Sequence, residues 1–326
     1  MKRHDIIPYA RGDKPVDLLL THAKIINVFS GEIVEGSIAI AGGWIVGIGD
    51  YQAGQIRDVS GRFVAPGFID PHVHIESSMA CVSQFARAIV PHGTTTVVAD
   101  PHEIANVFGA MGIEYMLKSG ENQPMNVYFS LSSCVPATSM ETSGARLNAV
   151  DLIPLMSHSR IVALAEMMNY PGVIHGDPDV LSKIKLAREY HKPVDGHSPG
   201  LSGKDLNAYI ASGISSDHEC TTTNEAREKL MAGMHIFIRQ GTGARNLQDL
   251  LPLVSPRTFH RMAWCTDDRD PHDLLSEGHI DSIVRESIAS GVDPIQAIQM
   301  ATLNPAEYFG LYHLAKQSIT NRQDFI

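Results

Sequence analysis

Apolar and polar positions alternate along the N-terminal segment and then change period. Asp17 to Val28 (DLLLTHAKIINV) is rich in β-branched residues at strand spacing. Ile33 to Gly49 (IVEGSIAIAGGWIVGIG) reads as two strands joined by Gly42-Gly43, a hairpin signal. A further strand, Gln55 to Val64, leads into Ala65-Pro66-Gly67. Residues 1–65 therefore read as a small all-β, sandwich-like unit, with the Pro-Gly pair as its boundary. From Phe68 short apolar runs alternate with longer runs at helical spacing, the pattern of βα units and a parallel sheet. Eight strands are expected, ending near Asp70, Asp100, Ser132, Glu166, His197, His218, Gln240 and Asp267. Between them lie amphipathic stretches such as Ser83 to His92, Ile104 to Lys118, Val180 to Tyr190, Gly203 to Ser212, Asn224 to Ala232 and Leu247 to Leu253. Asp151 to Ser157 reads as a short helix, and His279 to Gly291 and Pro294 to Leu303 as closing helices. Eight βα units over about 250 residues is the size of a (β/α)₈ barrel. The expected fold class is thus α/β, a TIM barrel over residues 66–311, with an open doubly wound sheet as the alternative.

Composition narrows the function classes. With 326 residues, 44% apolar and 19% charged, the chain can bury one large core and a small one. A net charge of −10 argues against a nucleic-acid partner, because phosphate binding needs a basic face. No stretch approaches the roughly 18 unbroken apolar residues of a membrane span. Met1 to Leu20 mixes charges with prolines, unlike a signal peptide. Cys81, Cys134, Cys220 and Cys265 show no CxxC spacing and read as reduced thiols, so a cytoplasmic location is expected.

Chemistry gathers at the strand ends, where barrels of this kind hold their active sites. In chain order these ends carry Asp70-Pro71-His72-Val73-His74-Ile75-Glu76, Asp100-Pro101-His102-Glu103, Ala165-Glu166, Asp195-Gly196-His197, Asp217-His218-Glu219 and Cys265-Thr266-Asp267-Asp268. Residues two apart in an extended segment point the same way, so His72 and His74 can aim at one ion. Glu166 can bridge two ions, and His197 and His218 suit a second. Imidazole with carboxylate selects Zn, Fe or Mn. An ion held there brings a bound water to a pKa near neutrality, and Asp267 is placed to accept and deliver its protons. Each residue alone has a blander reading. Glu166 or Asp267 can cap a helix, and a lone histidine is usually a hydrogen-bonded core residue. The joint order of His-x-His, carboxylate, His, His and Asp favours a metal site.

That order resembles the amidohydrolase superfamily, to which Ala65-Pro66-Gly67-Phe68-Ile69-Asp70-Pro71-His72-Val73-His74 is similar. Within it, several stretches resemble the bacterial adenine deaminases: His74-Ile75-Glu76-Ser77-Ser78-Met79, Asp100-Pro101-His102-Glu103-Ile104, Ser132-Ser133-Cys134-Val135-Pro136-Ala137, and Ala165-Glu166-Met167-Met168-Asn169-Tyr170-Pro171-Gly172-Val173. Asp195-Gly196-His197, Gly243-Ala244-Arg245-Asn246 and Cys265-Thr266-Asp267-Asp268-Arg269 continue the likeness, which runs from about Gly12 to Leu311.

The resemblance implies two divalent ions, usually Mn²⁺ or Fe²⁺, with Zn²⁺ also compatible. It puts His72 and His74 on one ion, His197 and His218 on the other, and Glu166 between them. Asp267 is implied as both ligand and proton shuttle. The implied substrate is a purine: adenine plus water gives hypoxanthine plus ammonia, a step of purine salvage. His102, Glu103, Glu219 and Arg245 are the expected purine contacts, and a homo-oligomer is compatible. The His-x-Glu and Pro-Cys-x-x-Cys signature of the cytidine deaminases is absent. After Phe309-Gly310-Leu311 the chain departs from the family, which continues into a returning strand and a further domain. Here a polar tail, residues 312–326, follows. Two further readings therefore stand beside deamination: cyclic-amide hydrolysis of the dihydroorotase or hydantoinase type, and a truncated, inactive remnant.

Overall fold

The structure, a computed structural model, describes residues 3–138 and 140–315. Two compact units divide the chain: Met1–Gly67 with Gly310–Ile326, and Phe68–Phe309.

The first unit is a single mixed sheet of β1 (Val16–Asn27), β2 (Glu32–Ala41), β3 (Trp44–Ile48), β4 (Ala53–Asp58) and β5 (Phe63–Val64). β2 runs antiparallel to β1 and β3, while β4 and β5 pair with β1 in parallel. The hairpin falls at Gly42 and Gly43, both in the left-handed region that glycine enters without a steric cost. The strand expected over Gln55 to Val64 is broken in two. Asp58 accepts hydrogen bonds from the backbone and hydroxyl of Ser60, a local turn that ends β4 before Gly61. Of the tail expected over residues 312–326, Tyr312–Ala315 forms a short helix and the rest lies outside the described residues.

The second unit is the barrel. Its strands are β6 (Phe68–Val73), β7 (Thr94–Ala99), β8 (Asn126–Leu131), β9 (Ile161–Met167), β10 (Val194–Gly196), β11 (Ser216–Asp217), β12 (His235–Arg239) and β13 (Met262–Cys265). All eight expected strands are present, in the expected order. β6 to β10 form one parallel sheet and β11 to β13 another. Backbone hydrogen bonds join them at both seams. Ser215 donates to the Val194 carbonyl at 3.0 Å, and Asp267 donates to the His72 carbonyl at 3.0 Å.

The helices pack outside because their apolar faces match the outward residues of the strands. Phe85, Ile89 and Ile113 meet Val97, Phe129 and Leu164 in one core. Trp264, Ile280, Ile283 and Met300 build a second around β12 and β13. Side chains of this size contribute about 1.5–3 kcal/mol each when fully buried. The single helix expected over Ile104 to Lys118 is two, His102–Phe108 and Ala110–Ser119. Gly109 interrupts them at φ +62°. Every residue of β9 is buried, as in a strand covered on both faces. That leaves Glu166 as a carboxylate that must find partners inside. Among the described residues no helix is long and apolar enough to cross a membrane.

Candidate metal centre

The six residues expected to ligate metal meet at one mouth of the barrel. His72 lies on β6 and His74 just beyond it, on extended backbone, and their Nε2 atoms stand 3.2 Å apart. Asp267, past the end of β13, places Oδ1 3.5 Å from His72 Nε2 and 3.2 Å from His74 Nε2. Glu166 divides its carboxylate between two groups. Its Oε1 is 3.4 Å from His74 Nε2, while Oε2 is 2.5 Å from His197 Nδ1 and 3.2 Å from His218 Nε2. His72, His74, Glu166, His218 and Asp267 are all buried, and His197 is the most open of the six.

The donor chemistry fits divalent cations. Two neutral imidazole nitrogens facing each other at 3.2 Å can share one hydrogen bond at most, whereas a cation satisfies both. His74 Nδ1 lies 3.1 Å from the Asp100 carbonyl, which only accepts, so a neutral His74 carries its hydrogen there and turns its Nε2 lone pair to the cluster. The electrostatics agree. Burial by itself would raise the carboxyls of Glu166 and Asp267. The surrounding imidazoles, His197 and His218 for Glu166 and His72 and His74 for Asp267, reverse this and hold both well below the usual range. Burial pushes the His74 imidazole down, but Asp267 and Glu103 beside it bring it well above its usual value, so a proton competes with a cation for this nitrogen. Carboxylates therefore stay ionised in the interior, ready to balance positive charge. Among the described residues, four clusters of His, Asp and Glu close enough to hold an ion lie here, drawn from these six residues with Asp100, His102, Glu103 and Asp268.

A layer of buried polar contacts sets the positions of the strand ends. The Ser133 hydroxyl donates to the Glu166 carbonyl at 2.6 Å. Tyr209 accepts from the His197 N–H and donates to the Met167 carbonyl, tying β9 to β10. Asp217 accepts from the Ser198 N–H and hydroxyl and from the Glu219 N–H. Lys229, on the helix Thr223–Met231, reaches the Ser198 carbonyl at 2.7 Å, Glu225 at 2.8 Å and Asp217 at 3.3 Å. The residues following His197 and preceding His218 are thereby bound to one another. Gly196 lets β10 and β11 approach, because a Cβ there would stand 2.2 Å from the Ser216 carbonyl oxygen.

Both Lys229 and Asp217 have 0% side-chain exposure, so Lys229→Met leaves a buried carboxylate without its cation. Loss of one partner of such a pair costs about 3–5 kcal/mol. Urea denaturation should show a destabilisation of that order. A change within 1 kcal/mol (about the worth of a surface pair) would mean the network is not structural.

Three of the four expected purine contacts border this cluster. His102 Nδ1 lies 3.1 Å from Asp100 and 3.3 Å from Glu166. Glu103 lies 3.3 Å from both His74 and His102, and Glu219 Oε1 lies 3.5 Å from His218 and 3.7 Å from His197. Arg245 is not brought in. Its guanidinium binds Asp273 at 2.7 Å and Glu277 at 3.2 Å, and 44% of the side chain is exposed. Asp273 and Glu277 take its charge. One residue went unnoticed in the sequence. Arg239 donates to Asp267 Oδ2 at 3.0 Å and to Glu219. The available signal was a charge closing the apolar run Ile236-Phe237-Ile238.

The chain is similar to known proteins in sequence and in shape. Proteins named adenine deaminase match at 56% identity in Desulfatibacillum aliphaticivorans, covering 94% of this chain and 54% of that protein. The adenine deaminase of Kosmotoga olearia matches at 52% identity, covering 99% and 56%. The chain thus spans about half the length of the curated relatives it matches. Among solved structures, N-acetylglucosamine-6-phosphate deacetylase from Pasteurella multocida superposes with a TM-score of 0.66 at 13% identity, covering 91% of this chain and 90% of that one. A D-hydantoinase gives 0.65 at 14% identity, covering 89% and 81%. At such identities the likeness is one of fold. The model of the amidohydrolase family matches residues 63–315. Since that stretch takes in every barrel strand and every residue of the cluster, the chain belongs to the amidohydrolase family.

Proposed function

We propose that this chain hydrolyses adenine to hypoxanthine and ammonia with the help of two divalent ions, Mn²⁺ or Fe²⁺, with Zn²⁺ also compatible. The observation that carries the chemistry is the divided carboxylate of Glu166, one oxygen towards His74 and the other towards His197 and His218. Likeness to the adenine deaminases, above half identity, carries the substrate. His72 and His74 would hold one ion, His197 and His218 the other, with Glu166 shared and Asp267 on the first. When bound, such ions polarise a water and bring its pKa towards neutrality.

The rest falls to the protein. Water oxygen adds to C6 of the purine, and the C6–N bond to the exocyclic amine breaks. Asp267 passes one proton of the attacking water to ring N1 and the remaining hydroxyl proton to the departing amine, so that ammonia leaves and C6 keeps a carbonyl. His102, Glu103 and Glu219 border the cluster and are suited to hydrogen-bond the purine edge. Arg245 is occupied by Asp273 and Glu277 and is not assigned to the substrate. A small neutral purine is the one partner the reading requires, and purine salvage in the cytoplasm is its setting.

Purified chain supplied with Mn²⁺ or Fe²⁺ should release ammonia from adenine, with metal content recorded beside the rate. Fully loaded protein that releases none would end the reading. Ring opening of a hydantoin by the same sample would replace it with cyclic-amide hydrolysis.

A further inference from the structure

Arg239 ends β12, which lies between β11 and β13, the strands leading to His218 and Asp267. Its side chain is only 11% exposed. Nη1 donates to Asp267 Oδ2 at 3.0 Å and also to Glu219 Oε1, and Nε donates to Asn246 Oδ1 at 2.9 Å. One guanidinium thus joins a carboxylate from each neighbouring strand end, while a third group fixes the plane of its fork. Arginine suits this task because its donors are rigidly directed.

Asp267 needs such a hold. Its φ of 56° is left-handed, an uncommon conformation for a residue with a Cβ. Its N–H donates to the His72 carbonyl and its carbonyl accepts from the His74 N–H at 3.2 Å, so the main chain is locked to β6. That lock fixes where the side chain begins and leaves its two rotations free. Oδ1 faces His72 and His74, and Arg239 takes Oδ2.

We propose that Arg239 is a positioning residue, fixing the rotation of the Asp267 carboxylate and restraining Glu219 beside His197 and His218. Its kinetic consequence rests on the deaminase reading; its effect on the metal environment does not.

The test uses the full chain loaded with Co²⁺, as parent, Arg239→Met and Arg239→Lys. Both variants are expected to melt cooperatively and to bind as many ions as the parent. The visible absorption of bound Co²⁺ should change in Arg239→Met, because a carboxylate near the ions is no longer oriented. With adenine, kcat should fall about 100-fold at nearly unchanged KM, the scale of a small misplacement of a reacting group. Arg239→Lys should recover part of that loss, and added guanidinium ion should recover part in Arg239→Met. A parent-like spectrum together with parent-like kcat overturns the role. Loss of ions or of the cooperative melt in both variants also overturns it, since Arg239 would then be structural. If Arg239→Met alone fails to fold, Arg239→Lys carries the same spectroscopic and kinetic test. Should the parent release no ammonia, the deaminase reading fails separately, and the Co²⁺ spectrum still decides on Arg239.

Discussion

Asp267→Asn protein is expected to keep its metal and to lose turnover by a factor of about 10²–10⁴, the usual contribution of a general acid-base group. The substitution is a clean one. Asparagine is among the few residues that tolerate the left-handed backbone held at this position. It keeps an oxygen for Arg239 or for the His72 and His74 side of the cluster. What disappears is basicity, since an amide takes up no proton in this pH range. Metal analysis and ammonia release, measured on the same preparation, check the result. Near-parent kcat with full metal content would remove Asp267 from proton transfer.

Glu166→Gln is expected to act earlier, on the centre itself. The carboxylate is buried, is held well below its usual pKa by the imidazoles around it, and faces His74 on one side and His197 and His218 on the other. An amide offers one acceptor and one donor in place of two anionic oxygens. Half of it must therefore turn N–H groups towards nitrogens or cations. A neutral group also balances little positive charge between two cations. Metal content should fall to one ion per chain or fewer, and ammonia release should fall with it. Removing one member of such a buried charged cluster should also cost about 3–5 kcal/mol of stability. Unchanged occupancy of both positions by metal analysis would contradict the shared role of Glu166.

Much of this centre could be read from the chain because each ligand closes an apolar run. His72 and Glu166 lie in the last residues of their strands and His197, His218 and Asp267 just beyond theirs, and parallel strands in a closed barrel end at one face. The barrel was legible for the same reason: short apolar runs and longer helical runs alternate eight times. What was not legible depends on contacts between distant segments. Arg239 reads as a charge at a strand end, and only the fold shows that β12 lies between the strands leading to Glu219 and Asp267. Lys229 sits in a polar-looking helix, yet the fold buries it against Asp217. Arg245 does not join the cluster, and sequence order does not reveal that Asp273 and Glu277 hold its guanidinium. Breaks such as those at Gly109 and Ser60 were missed because a turn of a few residues barely disturbs periodicity.

The close approach at Gly196 has a consequence for metal choice. Main chain meets main chain there, with room for nothing larger than hydrogen, so the spacing of the segments bearing His197 and His218 is set by peptide bonds and not by adjustable rotamers. Such a frame fixes where the two side chains begin and leaves the fit to an ionic radius to their rotations. Discrimination among dications of like size then falls to the electronic taste of nitrogen and oxygen donors, and to whichever ion the surroundings supply.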